Sequence, residues 1–221
     1  MKNQQPVGLH IDIIGAALAE LGITPEYQPT TWESCLYRAK AGSVDAVATA
    51  AYLDERAAYM NYPKDASDAN QSLWRITQVE YKVITPTFNP DGTPNHYVFN
   101  GDLSTLPEPV RVPAGYFIVH DLQKAGVKVK QNKNSMDNFQ GLISDQTGSV
   151  IDLTEVATHL SMQADFGGKM QVQTNPFVVK SYYLAFSKKG NVSPPQAQVI
   201  WEHLAKVREN SKLMAGFLKQ Y

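Results

Sequence analysis

The feature that most constrains this chain is a pattern that occurs twice. In the first pass, Leu21-Gly22-Ile23 leads to Gly42-Ser43-Val44-Asp45. In the second, Ala125-Gly126-Val127 leads to Gly148-Ser149-Val150-Ile151. Both read helix, glycine, strand, helix, Gly-Ser-Val, strand, at nearly equal length. This is not the tandem repeat of a solenoid. It predicts two α/β lobes of similar topology, although α/β units share such grammar and the pattern alone also admits coincidence.

The local signals fill in the two passes. Ile11, Ile14, Leu18 and Leu21 fall at helical spacing, with Gly22 as the C-cap. Ile23 to Tyr27 reads as a short strand. Thr30-Thr31-Trp32-Glu33 reads as a capping box, with Thr30 accepting from first-turn amides and Glu33 reaching back. Gly42 ends that helix, and Val44 to Ala48 is a strand of small residues suited to burial on both faces. Gln78 to Thr85 alternates as an extended strand, and Asn89-Pro90-Asp91-Gly92 is a turn signal. Val110-Arg111-Val112 is a short strand. Tyr116 to Lys124 is a helix, Val127 to Val129 a strand, and Asn134 or Ser135 caps a helix carrying Phe139, Leu142 and Ile143.

After the second Gly-Ser-Val strand come a helix from Thr154 to about Ala164 and two strands, Met170 to Thr174 and Tyr182 to Ser187. Ser193-Pro194-Pro195 opens a helix with proline in its first turn, and a last helix runs from about Ser211 to Leu218. Strands alternate with helices throughout, so the expected fold class is α/β.

Composition narrows the function. Of 221 residues, 43% are hydrophobic and 19% charged, which fits a globular chain with a real core. The net charge is −1 with Lys and Arg dispersed, which argues against nucleic acid as a partner. No apolar run approaches the roughly 18 residues of a membrane span, so no membrane insertion is expected. The single cysteine, Cys35, excludes an internal disulfide. The opening Met1-Lys2-Asn3-Gln4-Gln5-Pro6 has no apolar signal core.

Against this background several segments resemble one family. Gly8-Leu9-His10-Ile11-Asp12-Ile13 followed by Ala-Glu-Leu-Gly-Ile resembles the opening of the family 3 extracellular solute-binding proteins. These are type II periplasmic binding proteins, many of them amino-acid receptors of ABC transporters. Trp32, Gly42-Ser43-Val44-Asp45-Ala46, Asp54-Glu55-Arg56 and Tyr62-Pro63 continue the pattern in order. Tyr182 to Gly190 resembles the strand that returns the chain toward lobe one, and the two C-terminal helices ending at Tyr221 also match. The resemblance implies a two-lobe type II fold with a hinge of two crossing strands, around Tyr81 to Thr85 and Ser181 to Phe186. Lobe one would comprise residues 1–84 and 187–221, and lobe two residues 85–186. A small-molecule ligand would sit between the lobes, the partner would be an ABC transporter permease, and the compartment would be the periplasm. No cofactor or metal is implied.

The resemblance also nominates site residues. Arg56 lies at the motif whose Arg pairs bidentately with a ligand α-carboxylate, a task suited to the guanidinium fork. The alternative is a surface Arg at an exposed helix start. Trp32 would cover the ligand's apolar or cationic part, or else pack at its helix start. Ala50, Ala51 and Tyr52 lie where the family offers backbone and hydroxyl groups. Gly115 and Tyr116 precede a helix whose first amides could bind a carboxylate.

Two departures matter. Relatives that bind α-amino acids carry an Asp where this chain has Thr154, flanked by Asp152 and Glu155, so either acid would have to substitute. The family also begins with a strand that here would already have ended at Met1. A loosened lobe one, stabilised by self-association through its incomplete sheet, is the expectation.

Catalytic signatures are sparse. None of the five histidines has zinc-ligand spacing with another, and there is no phosphate loop, Gly-x-Gly-x-x-Gly or Gly-x-Ser-x-Gly. The function that the resemblance implies is capture of a small polar, carboxylate-bearing ligand, an amino acid or a relative of one, for an ABC transporter. The alternatives are a sensing module of a signalling protein, or a dehydratase-like enzyme using Glu155 as its acid.

Overall fold

A computed structural model describes residues 6–68 and 72–220. The first five residues, and Tyr221 with which the last helix was expected to end, lie outside the described residues. The chain divides into two compact units, one of Met1–Gln78 with Lys180–Tyr221 and the other of Val79–Val179.

The first unit opens with α1 (Leu9–Glu20). Gly22 follows at φ +70, and the Ile23 amide returns to the Leu18 carbonyl, closing the helix in the left-handed turn that glycine permits. The stretch expected as a strand at Ile23 to Tyr27 is instead an irregular, largely exposed segment that pairs with no strand among the described residues. Its pattern suits a strand, but a strand exists only with a ladder partner, and among the described residues none is formed there. Helix α2 (Trp32–Ala41) is capped by Thr31, whose side chain accepts from the Ser34 amide. The cap therefore falls one residue after the expected Thr30.

Gly42 closes α2 at φ +80. A Cβ there would stand 2.6 Å from the Lys189 Cβ and 2.9 Å from the Lys189 carbonyl oxygen. Strand β1 (Ala46–Ala51) begins two residues later than its Val44 expectation. It is followed by the single-turn α3 (Asp54–Ala57) and β2 (Met60–Asn61). Both strands pair antiparallel with the last residues of β7 (Met170–Ser187). Among the described residues β1 pairs with no other strand.

Helix α7 (Pro194–Glu209) starts with a capping box of Ser193 and Gln196, and α8 (Ser211–Leu218) follows it. The unit's main core joins Ile13, Ile14 and Leu18 of α1 to Leu184 and Phe186 of β7 and to Ile200, Trp201 and Leu204 of α7. Each such side chain contributes about 1.5–3 kcal/mol on burial. Trp201 also donates its indole N–H to the Leu184 carbonyl at 2.8 Å, so its one polar atom is satisfied in the core.

The second unit contains β3 (Thr77–Pro86, entered at Val79), β4 (Val110–Pro113), α4 (Phe117–Lys124), β5 (Val129–Asn132), α5 (Ser135–Asp145), β6 (Ser149–Leu153), α6 (Thr154–Ser161) and the first part of β7. Its strand order is β7-β3-β6-β4-β5. β4 runs parallel to both β5 and β6, while β3 is antiparallel to β6. Strand β5 lies two residues after its expected start, and α6 ends at Ser161, short of Ala164. The two strands expected from Met170 and Tyr182 are one continuous β7, because Asn175-Pro176 interrupts the hydrophobic pattern without ending the extended backbone.

Ile84, Phe139, Leu142, Val150 and Leu160 form this unit's core on the α5 and α6 side of the sheet. Arg111 is wholly buried and binds Asp145 and the carbonyls of Pro109 and Thr147, which ties α5 to the turn before β6. Gly148 sits in that turn at φ +81, with the Pro109 carbonyl oxygen 2.4 Å from where a Cβ would be.

Candidate functional site

In the first unit the candidate residues gather where β1 ends. Ala50 and Ala51 are buried, and Ala50 packs in the cluster of Met60 and Ala185. The preceding Thr49 adopts φ +64, unusual for a β-branched residue, within an irregularity of the β1–β7 register. The carbonyl of Ala51 accepts from Arg56 Nη1 at 3.0 Å and from the Tyr62 hydroxyl at 3.1 Å.

Arg56 is only 4% exposed, which overturns the alternative of a surface Arg on an exposed helix start. Its guanidinium carbon lies 5.1 Å from the centre of the Trp32 ring. The first residue of α2 and the single turn after β1 are thereby joined by a cation–π contact. Trp32 also borders the apolar cluster of Ala39, Val47 and Met60, which is the packing role at its helix start.

Tyr52 donates its hydroxyl to Asp54 Oδ1 at 2.9 Å, and that carboxylate holds its pKa above the ordinary phenol value. Its ring meets Tyr62 edge-on at 5.3 Å, and Tyr62 in turn meets Tyr183 at 5.9 Å. Burial pushes the Tyr62 hydroxyl well above its ordinary value, against the pull of the neighbouring Arg56. Tyr62 was legible only as part of a Tyr-Pro motif, and its bond to the same carbonyl as Arg56 could not be read from sequence.

In the second unit β4, β5 and β6 are parallel, so their carboxyl ends and the starts of α4, α5 and α6 lie on one side. In open α/β sheets this is where ligands bind. Gly115 adopts φ +74 and Tyr116 is the N-cap residue of α4, with no side-chain cap on that helix. The Tyr116 ring stands edge-on to Tyr81 at 6.5 Å.

Thr154 is the first residue of α6. Its hydroxyl donates to the Glu80 carbonyl at 3.0 Å and lies 3.4 Å from Glu80 Oε2. Glu155 is exposed on the same turn. Asp152 is completely buried. Its Oδ1 accepts from the Leu153 amide at 2.8 Å and its Oδ2 has no partner. Burial pushes its pKa up to about 6, opposed by the Ser135 hydroxyl and the Leu153 amide. Sequence reasoning missed Glu80 and its partner Lys82, whose Nζ lies 3.1 Å from Glu80 Oε2.

Comparison with known proteins gives this arrangement a class. The model of the bacterial extracellular solute-binding proteins, family 3, matches residues 1–213. A histidine kinase sensor domain with similarity to periplasmic binding proteins superposes with a TM-score of 0.79 at 14% identity, covering 100% of this chain and 88% of its own. An arginine-, lysine-, histidine-binding protein from the thermophilic bacterium Geobacillus stearothermophilus gives 0.75 at 17% identity, covering 100% and 88%. An ancestral arginine-binding protein bound to arginine gives 0.74 at 19% identity, covering 100% and 90%. A search of curated proteins gives no match. The fold is the two-lobe α/β type of periplasmic binding proteins. The chain belongs to the bacterial extracellular solute-binding proteins, family 3. No helix among the described residues is long and apolar enough to cross a membrane.

Proposed function

We propose that the chain captures a small polar solute bearing a carboxylate, an amino acid or a close relative, in the periplasm, and delivers it to an ABC transporter permease. The observation that carries this reading is the buried Arg56 guanidinium held over the Trp32 ring at the end of β1. A guanidinium offers a planar fork of N–H donors, and the Ala51 carbonyl is among the partners of this one. The Trp32 ring holds the guanidinium in place, and bidentate recognition of a planar anion needs a positioned fork. Trp32, Arg56, Ala50 and Tyr52 of the first unit are assigned to the ligand, as are Gly115, Tyr116, Thr154 and Glu155 of the second.

A thermal-shift screen of amino acids, small carboxylates and polyamines tests the reading. A ligand held only by the folded chain, at about 100 times its dissociation constant, adds roughly 2.7 kcal/mol of stability. Arg56→Lys keeps the charge but removes the fork. The expected result is a carboxylate-bearing hit whose shift collapses in that variant. Hits confined to polyamines, or an Arg56→Lys response equal to the parent, would refute the carboxylate assignment.

A further inference from the structure

We propose that the second unit carries a binding site of its own, a recess that takes a small aromatic carboxylate at the end of its sheet opposite Thr154. It stands apart from the solute-capture reading and uses none of the residues assigned there.

Position sets the recess apart. Ile84 pairs with Val150 in the β3–β6 ladder, so Pro86 falls level with the turn before β6. Thr154 begins α6 at the other end of that strand. Around Pro86 a recess of about 190 Å³ is lined by Phe88, Ile143 and Gln146, and by Gly167, Gly168 and Lys169. An apolar cavity of about 150 Å³ accepts benzene, so this volume suits one six-membered ring with a small substituent.

The walls specify two halves of a ligand. Pro86 is buried and Ile143 packs against the Phe139 and Leu142 core, which makes one side apolar. Phe88 is 46% exposed, on backbone tied by its bridge to Pro94 and by the Asn95 amide on the Thr87 carbonyl. An exposed ring on a tied backbone offers offset or edge-on contact to another ring. Gly168 adopts φ +71 with nothing within 4 Å of where a Cβ would be, so the recess is unobstructed there.

Lys169 supplies the charge. Its exposed side chain has no ion pair or hydrogen bond among the described residues. Asp145, the acid beside Gln146 at the end of α5, is already engaged by Arg111. Gln146 closes α5 in the left-handed region at φ +52, where glycine would be free of strain. A glutamine there instead places a carboxamide at the recess, whose N–H groups can donate to an anion beside Lys169. A carboxylate between Lys169 and Gln146, on a ring against Phe88 and Ile143, uses both halves.

The test is an amide NMR titration of the full chain with benzoate, with benzyl alcohol as the neutral ring and acetate as the ringless carboxylate. Benzoate is expected to give saturable shifts at Gln146, Gly167, Gly168 and Lys169, and each control to bind at least about tenfold more weakly. Lys169→Gln and Phe88→Ala are each expected to weaken benzoate by about tenfold or more, and Lys169→Arg to retain it. These substitutions change exposed side chains, and circular dichroism checks that the variants fold. Arg56→Lys is expected to leave the shifts unchanged, which separates this recess from the candidate solute site. The proposal is overturned, with solute capture left standing, if those amides show no saturable shift, if benzyl alcohol binds as well as benzoate, or if Lys169→Gln binds like the parent. Shifts that vanish in Arg56→Lys place benzoate in the first unit and overturn it as well.

Discussion

Replacing Asp152 by Asn should make the protein more stable at neutral pH and not at acid pH. Asp152 is the one carboxylate sealed inside the second unit with a lone oxygen, and burial raises its pKa from 3.8 to about 6. Below 3.8 the group is protonated in both states and contributes nothing to the pH dependence. As the pH rises from 3.8 to 6 the unfolded chain gives up its proton first, so stability falls through that window and stays reduced above it. At about 1.4 kcal/mol per tenfold change, the displacement corresponds to a penalty of about 3 kcal/mol at pH 7.5.

Asn keeps the oxygen that accepts from the Leu153 amide and cannot ionise. Urea unfolding of the parent and of Asp152→Asn at pH 3.5 and 7.5 is the assay. Trp32, Trp74 and Trp201 all lie in the first unit, so far-UV circular dichroism is the appropriate readout. The parent's own pH profile is a poor substitute. His10, lowered by burial from 6.5 to about 4, stays neutral in the fold while the unfolded chain takes up its proton, and this opposes the Asp152 slope over the same window. The expected gain of Asn over Asp is about 3 kcal/mol larger at pH 7.5 than at pH 3.5. A difference that is the same at both pH values would refute the burial argument.

The remaining predictions are local. His10, with its Nε2 2.6 Å from Thr77 Oγ1 and its ring edge-on to Tyr182, should show an NMR titration midpoint near 4, and a midpoint at 6 or above would contradict its burial. Gly148→Ala should destabilise the second unit by about 2 kcal/mol or more, since both the positive φ and the Pro109 carbonyl oppose a Cβ; calorimetry reads it. Ser193→Ala removes half of the α7 capping box and should cost about 1 kcal/mol in urea unfolding.

The repeated Gly-Ser-Val grammar was informative because each glycine in it has a steric reason. Gly22, Gly42, Gly126 and Gly148 all adopt positive φ, and two of them lie where a Cβ would strike backbone. Helix ends and turns are set by such nearby atoms, which is why α7 and α8 stood close to their expected limits. Strands depend on remote partners, and there the reading slipped. Ile23 to Tyr27 has the composition of a strand and, among the described residues, no ladder to join. β1 and β5 each began two residues late, because the register of the sheet decides where an extended stretch counts as a strand.

The site divides along the same line. Arg56 and Trp32 could be named from sequence because each sits in a short motif, but their contact and the shared Ala51 carbonyl are tertiary facts. Thr154 presented the opposite case. The family resemblance implied an acid at that position, and the nearest acids along the chain were Asp152 and Glu155. Alternation in β6 turns Asp152 inward, where it shares the Val150 face against the α5 and α6 core. The carboxylate beside Thr154 comes instead from β3, seventy-four positions away, because antiparallel pairing sets Glu80 opposite it. A charge supplied by a neighbouring strand leaves no local signature. It becomes visible only when the register of two strands is known, and that register is itself fixed by the hydrophobic faces that Ile84 and Val150 turn toward the same core.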